Sequence, residues 1–374
     1  MDFSYSQEQH SLRELTARQL GERFTDDFRK QFARSGQPYD TMLWARLAQA
    51  GLLGTAVGAQ AGGSGLGLTE LALLLEEQGR TLAALPLLPT LVMGALPLQK
   101  FGSPAQQALL PALVAGEVLL TAALEEPSGA DPAQPATQAT AFEGGWRLCG
   151  EKICVPYGAQ AQLLLVPAGC EDGVRMFLIE PGSAGLRIEP QICTSGESQA
   201  RLTLSQVQAT PAQVLGDVAS GVVSWTLERA QVAYAAEQLG VLQEALRRAA
   251  AYVSERRQFG RPIGSFQAVQ HRLADCYIDL EALRSVYLRA VWALDNGVAA
   301  GAEALAAKWW AARAGHRVSH AVQHVHGGLG ADVEYPIHAF FLRATQLSIA
   351  LGGSTPVLAR IGARLAAGSV APFT

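Results

Sequence analysis

Charge of one sign, cysteine and long apolar runs are all scarce in this sequence, and each scarcity excludes something. The 29 Lys and Arg against 33 Asp and Glu leave a formal net charge of -4. There is therefore no basic field for nucleic acid and no polybasic run for anionic lipid. Five cysteines, at 149, 154, 170, 193 and 276, form no CxxC pair. That pattern indicates neither a zinc site nor a disulfide framework, and it fits a reducing cytoplasm. The opening MDFSYSQEQH has no basic segment followed by an apolar one, which argues against a secretory signal. Residues 81–99 are uncharged and mostly apolar, but Pro86, Pro89 and Pro97 interrupt them. They read as a buried, kinked connection rather than a membrane span.

What is plentiful is apolar material. With 374 residues, 49% apolar and 17% charged, the chain can fill a large core divided over two or three domains. Residues 1–118 read as a helical domain. Ser6 with Gln9 forms a capping box ahead of a first helix, and Leu43, Leu47 and Ala50 recur at helical spacing over 41–50. Gly62, Gly63, Gly65 and Gly67 superficially suggest a phosphate-cradling loop, but a dinucleotide fingerprint needs a preceding strand inside a βαβ unit. Residues 45–54 read as helix running into loop, so the glycines are a turn into a helix capped by Thr69. Residues 119–218 change to short alternating runs, GWRLCGEK, AQLLLVPA, VRMFLIEP, GLRIEPQI and ARLTLSQV, between Gly and Pro turns. This is the pattern of strands in a small antiparallel barrel or sandwich. Residues 219–374 return to helix, so the fold class is mainly α with a central β domain.

Residues 221–256 contain no proline and read as one long helix. Glu228 has Trp225 three residues before it and Val232 four after, so its carboxylate shares a face with apolar side chains. Burial there raises a carboxyl above its reference pKa of about 4.3, toward a useful base; an ion pair with Arg229 or a neighbouring helix is the plainer reading. The helix ends near Arg256, because Gly260 and Pro262 follow and the residue before a proline is pushed out of the helical region. Arg256 and Arg257 therefore stand at a helix terminus beside a glycine loop, with Ser265 placed to cap a helix from Gln267. Guanidinium forks and free loop amides suit a phosphate, although the pair alone reads more simply as solvated surface arginines. Glu228 and Arg256 lie 28 positions apart, roughly 42 Å along a straight helix at ~1.5 Å per residue. They cannot serve one site: either one of them is irrelevant to it, or the Arg256 end reaches into a second subunit. Farther on, His316, His320 and His324 share a helix face, with His326 just beyond. Metal binding is the sharp reading, but no Asp or Glu lies among them and HExxH is absent, so they read as packed or exposed histidines and no metal is assigned.

The string RRQFGRPIGSFQAVQHRLAD, beginning at Arg256, closely resembles the C-terminal helical domain of the acyl-CoA dehydrogenase family, flavoproteins that desaturate acyl-CoA thioesters. The resemblance runs from Met1 to about Arg364. It implies an N-terminal helical domain, a middle β-barrel or sandwich and a C-terminal four-helix bundle. It also implies FAD as cofactor, an acyl-CoA substrate, an electron-transfer acceptor, and assembly as a homo-oligomer or as a heterotetramer with a second acyl-CoA dehydrogenase chain. In the family, residues matching Arg256, Gln258 and Phe259, with Gln267 following, touch the FAD of a neighbouring subunit. His324-Val-His-Gly-Gly-Leu-Gly matches the QxxGGxG turn whose backbone approaches the flavin, so His324, Gly327 and Gly328 join the candidate set.

The sequence also departs from the family. LEEPSGADPAQPATQA resembles the TEPGAGSD segment that cradles a subunit's own flavin, but one residue is missing, Glu125 replaces a flavin-contacting Thr, and Ala130 replaces or displaces the expected Ser. The next flavin segment, usually KxWITN, is Lys152-Ile-Cys-Val-Pro-Tyr. Cys154 stands where Trp is frequent and Pro156 where a Thr bonds the flavin, and a proline has no backbone N–H to offer. The usual catalytic Glu follows an EYP motif, here Glu334-Tyr335-Pro336, in a segment that reads Ala350-Leu351-Gly352-Gly353-Ser354, so Gly352 takes its place. Some members with a small residue there carry the Glu on the long helix just before an Arg, which Glu228-Arg229 matches. Two readings follow. In one, the chain is an active dehydrogenase whose Glu228 removes a proton alpha to the thioester carbonyl while hydride leaves the beta carbon for the flavin. In the other, it is a catalytically silent subunit of a heteromer, like those of bacterial steroid side-chain breakdown, which HVHGGLGADVEYP and GGST most resemble. It then completes the flavin site of a partner chain.

Overall fold

The computed structural model describes residues 3–129 and 131–368; Ala130, matched above to the expected Ser, lies outside them. The chain opens with α1 (Gln7–Arg23). Its N-cap Ser6 accepts from the Gln9 N–H while the Gln9 side chain accepts from the Ser6 N–H, the reciprocal box that the sequence implies. Then come α2 (Asp26–Ser35), α3 (Thr41–Gln49) and α4 (Leu68–Thr81). Thr69 therefore sits inside α4 rather than capping it. Glu70 reaches back instead, its carboxylate accepting the Gly67 N–H at 2.8 Å. Residues 88–95 form a buried π-helical turn leading into α5 (Leu96–Phe101), followed by α6 (Pro104–Gln107) and α7 (Leu110–Val114).

The strands are β1 (Leu120–Ala122), β2 (Gln138–Phe142), β3 (Gly145–Pro156), β4 (Leu163–Cys170), β5 (Gly173–Ile179), β6 (Leu186–Gln191), β7 (Gln199–Ala209) and β8 (Val214–Leu215). They form one eight-stranded sheet in the order β6-β7-β3-β2-β4-β5-β8, with β1 beside β4. The sheet is mixed rather than wholly antiparallel, because β1 and β2 each run parallel to β4. Those two strands were not among the alternating runs: β1 is three buried residues and β2 only five. Leu148, Val166, Phe177, Leu202 and Val207 make the inner face, each contributing about 1.5–3 kcal/mol by leaving water.

Helix α8 (Val222–Glu255) is unbroken. A short hairpin of β9 (Arg257–Gln258) and β10 (Arg261–Pro262) follows, then α9 (Gln267–Asp295), α10 (Gly301–Val325), α11 (Ile337–Ile349) and α12 (Ser354–Ala366). The chain divides into two compact units. One holds the sheet together with residues 36–71 and 84–230; the other gathers the chain up to Ser35, Ala72–Ala83 and everything from Gln231 onward. Within the second unit α10 is central and packs on α9, α11 and α12. Its buried face is largely alanine, Ala304, Ala307, Ala311 and Ala314, small side chains that let helix axes approach closely. Among the described residues no helix is long and apolar enough to cross a membrane. The architecture is helical at both ends with a central β sheet.

Candidate functional site

The hairpin after α8 is built for display. Phe259 and Gly260 form its turn with φ of 53° and 81°, the doubly left-handed pair that a two-residue hairpin requires. Glycine adopts this freely; phenylalanine does so at a cost, and it gains no burial in return, since Phe259 is 91% exposed. Only its edge meets Phe266, at 6.2 Å between centroids. Of the three arginines, Arg257 donates to the Gly260 carbonyl at 3.2 Å and Arg261 lies over the Phe266 ring at 4.0 Å. Arg256 is exposed, with no side-chain partner among the described residues; only its backbone is engaged, by bonds to Tyr252 and Ile263. Gln258 turns onto the Arg257 carbonyl, and Gln267 is exposed at the start of α9. Ser265 does not cap that helix. Its hydroxyl donates to the Pro262 carbonyl, and Phe266 occupies the N-cap without a side-chain bond. The helix starts at Gln267 as the spacing implies, but the extended Phe266 backbone, not Ser265, leads into it.

The end of α10 meets this edge within the same unit. Arg272 Nη1 donates to His324 Nδ1 at 3.1 Å, tying the first turns of α9 to the QxxGGxG-like turn. Gly327 and Gly328 are exposed beside it, in a short 3₁₀ segment, Gly327–Ala331. The structure thus brings together Arg256, Gln258, Phe259, Gln267, His324, Gly327 and Gly328 on the ends of α8, α9 and α10. His320 donates from Nδ1 to the His316 carbonyl, and no group of three metal-ligating side chains occurs among the described residues.

Glu228 belongs to the other unit. It is half-buried near the start of α8, beside Trp225, whose ring meets Phe101 edge-on at 5.2 Å. Its neighbour Arg229 is held over the Trp225 ring at 3.5 Å and donates to the Trp225 carbonyl.

In the sheet, Cys154 and Tyr157 are left-handed, with φ of 52° and 53°, around a bulge of β3 against β7. Their polar backbone is spent inward. The Cys154 N–H donates to the Gln191 side chain, Pro156 O accepts the Thr121 hydroxyl, and the Tyr157 N–H donates to Ser198 O. Just before this bulge lies a pair that periodicity does not reveal: Lys152 Nζ donates to Glu126 at 2.7 Å with both side chains buried. Burial works to raise the Glu126 carboxyl, but bonds from Lys152, the Thr137 hydroxyl and the Thr137 N–H outweigh it and hold it below the usual range. Burial lowers Lys152 to about 8 against the pull of Glu126, so both are charged at neutral pH. A Lys inside an alternating strand is the signal for it. Lys308 is a second missed residue. Fully buried on α10, it donates to the Leu347 and Ser348 carbonyls and so anchors the end of α11 just ahead of Gly352.

Comparison with known proteins fits this geometry. Residues 6–117 match the acyl-CoA dehydrogenase N-terminal domain and residues 220–366 the acyl-CoA dehydrogenase C-terminal domain. Acyl-CoA dehydrogenase FadE27 of Mycobacterium tuberculosis is 37% identical over 98% of this chain and 99% of its own. Two solved structures superpose closely. The Tcur3481-Tcur3483 steroid acyl-CoA dehydrogenase, solved as a Gly-to-Ala variant, gives a TM-score of 0.92 at 44% identity, over 97% of this chain and 99% of the other. The ChsE4-ChsE5 complex of Mycobacterium tuberculosis gives 0.93 at 37% identity, over the whole of both chains. The chain belongs to the acyl-CoA dehydrogenase family. Its members are FAD-dependent oxidoreductases acting on the CH–CH bond of acyl-CoA.

Proposed function

We propose that this chain works in the α,β-desaturation of an acyl-CoA, with Glu228 as the base and the Arg256 edge completing the flavin site of a neighbouring subunit. The observation that carries the second part is the unequal use of the hairpin arginines. Two are consumed by the hairpin itself, and Arg256 alone keeps its fork for an external anion. FAD combines a pyrophosphate with an aromatic ring system, and an outward guanidinium beside an outward phenyl ring fits that chemistry. Arg256, Gln258, Phe259, Gln267, His324, Gly327 and Gly328 would hold it from this side. When bound, FAD accepts the hydride leaving the beta carbon. Glu228, half-buried near the start of α8, removes the alpha proton.

The sheet does not fit a flavin of the chain's own equally well. Pro156 has no N–H, and its carbonyl is taken by Thr121. That observation, with neighbours that are heteromeric complexes, favours a second reading: the chain is the silent half of a heterotetramer and the base belongs to a partner. Steroid-derived acyl-CoA is then the substrate class to try first, with an electron-transfer protein as acceptor. Domain limits at 118/119 and 218/219 and a cytoplasmic location, consistent with five free thiols, belong to the same proposal. The test is flavin bleaching by a panel of acyl-CoA thioesters, measured for the purified chain alone and with a coexpressed second dehydrogenase chain. Turnover by the chain alone that is lost in Glu228→Gln supports the first reading. Turnover that needs the partner and ignores Glu228→Gln moves the base to the partner.

A further inference from the structure

His326 has no part in the reading above, yet it is the buried hinge of the edge just described. It is 3% exposed. Its Nδ1–H donates to Val322 O at 2.7 Å in the last turn of α10, while Nε2 is buried with no hydrogen-bond partner among the described residues. The ring lies nearly flat on Tyr252 of α8, with centroids 4.4 Å and planes 23° apart, and Tyr335 leans on it at 5.5 Å. Tyr252 O accepts the Arg256 N–H at 2.8 Å, the bond that terminates α8. On its other side His326 leads directly into Gly327–Ala331, where Gln323 Nε2 donates to Gly330 O. One imidazole therefore rests on the residue that fixes Arg256 and opens the turn that carries Gly327 and Gly328.

We propose that neutral His326 is a positioning residue that locks the Arg256 end of α8 and the Gly327–Gly328 turn into one flavin-facing edge, and that protonation at its unpartnered Nε2 opens the lock. The proposal rests on the reading that this edge faces a flavin. A phenyl ring would supply the stack; only histidine supplies the stack, the bond to Val322 and a titration. Burial pushes this imidazole below the ordinary histidine range, against the smaller opposing pull of the Val322 bond. The groups packed around it are the phenols of Tyr252 and Tyr335. Arg248 and Glu255 of α8 and Asp26 of α2 act on Tyr335, and none of them hydrogen-bonds to Nε2. A proton there meets no acceptor and no compensating carboxylate, so it is disfavoured while the lock is closed. The sign follows. The contribution is full above about pH 6.5, where the imidazole is neutral folded or unfolded, and it is lost as the pH falls from there toward the lowered folded value.

The experiment compares wild type, His326→Ala, His326→Phe and Arg256→Ala, each purified with whatever chain accompanies it. FAD dissociation is followed by flavin fluorescence from pH 5.5 to 8, and amide exchange of residues 327–331 is measured on flavin-free protein. His326→Ala should weaken FAD on the order of tenfold, the scale of one aromatic pair, and hasten exchange in the turn. His326→Phe should keep wild-type exchange and affinity at pH 8 and lose the acid-induced weakening. Unchanged exchange in His326→Ala, or an acid limb that persists in His326→Phe, overturns the proposal whatever the flavin does. If Arg256→Ala leaves FAD affinity intact, the reading that this edge faces a flavin fails by itself, while the exchange data still decide the lock.

Discussion

The hairpin after α8 and the bulge of β3 use the same backbone device and spend it in opposite directions. Each holds non-glycine residues in the left-handed region, Phe259 in one and Cys154 and Tyr157 in the other, at a cost of about 1–3 kcal/mol per residue. In the hairpin the strain projects Phe259 and Arg256 into solvent. In the bulge it turns the Cys154 N–H onto Gln191 and leaves Pro156 O with Thr121. A polar group already paired inside the chain is unavailable to a ligand, because a ligand must first displace that partner. The difference therefore separates groups left open to solvent from groups already paired within the chain, and substitutions at four places probe it.

The largest expected effect lies on α8. Glu228→Gln keeps the side-chain shape and removes its basicity, so desaturation by this chain should fall by about 10²–10⁴, the range for loss of a general base, while acyl-CoA binding survives. Undiminished turnover by the variant as a homo-oligomer would eliminate Glu228 as the base.

Next is the scaffold. Lys152→Met strands the Glu126 carboxylate in a dry site, and breaking such a pair costs about 3–5 kcal/mol. Thermal unfolding should show a large loss, mostly recovered by adding Glu126→Gln. Glu126 also sets an acid limb. Its carboxyl is held below the ordinary range, so its contribution is present above about pH 4.5 and is lost as the pH falls through the lowered folded value. Glu126→Gln alone should flatten that limb. If Lys152→Met unfolds like wild type, the pair is dispensable and the bulge has another support.

Arg256→Ala comes third. A guanidinium bonded to an anion contributes about 1.5–3 kcal/mol, so flavin affinity of the assembled protein should drop roughly 10- to 150-fold. Thermal stability should change little, because the exposed side chain has no polar partner among the described residues. Retained flavin would show the hairpin to be vestigial, and the comparison above would lose its first half.

Much of this was legible in the sequence, for physical reasons. The long helix follows from residues 221–256 lacking proline, and the observed limits Val222–Glu255 differ by one residue at each end. The five alternating runs became β3 to β7. What escaped was short or nonlocal. β1 and β2 are too brief to show a period, and their parallel pairing with β4 is set by tertiary packing. Thr69 and Ser265 were placed as caps by residue type, but Glu70 satisfies the first position from inside the helix and Ser265 bonds backward to Pro262. At the site, the Arg256 motif was readable as a string. That Arg257 and Arg261 would be consumed locally was not, since it depends on the hairpin register Arg261 to Gln258.

The smallest effect concerns Gly352, where the family's usual base would stand. Space is not what keeps a side chain out: an added Cβ would find its nearest neighbours, the Arg360 guanidinium nitrogens and Pro356 Cβ, at 3.7 Å, ordinary contact distance. Conformation is. Gly352 has φ +99°, outside the basin of L-residues, and Leu351 before it is left-handed as well, its carbonyl accepting from Arg360 at 3.2 Å. Lys308 holds the preceding turn by two carbonyls, so the loop has little freedom to relax toward negative φ. Gly352→Ala should therefore cost about 1–3 kcal/mol of stability through backbone strain alone. Gly352→Glu should cost less than that, because its carboxylate can reach Arg360, and a partly exposed pair returns up to about 1 kcal/mol. Neither variant should gain base function. If Gly352→Glu raised turnover in a Glu228→Gln background, the loop would be able to deliver a carboxylate to the substrate, and α8 would no longer be the necessary home of the base.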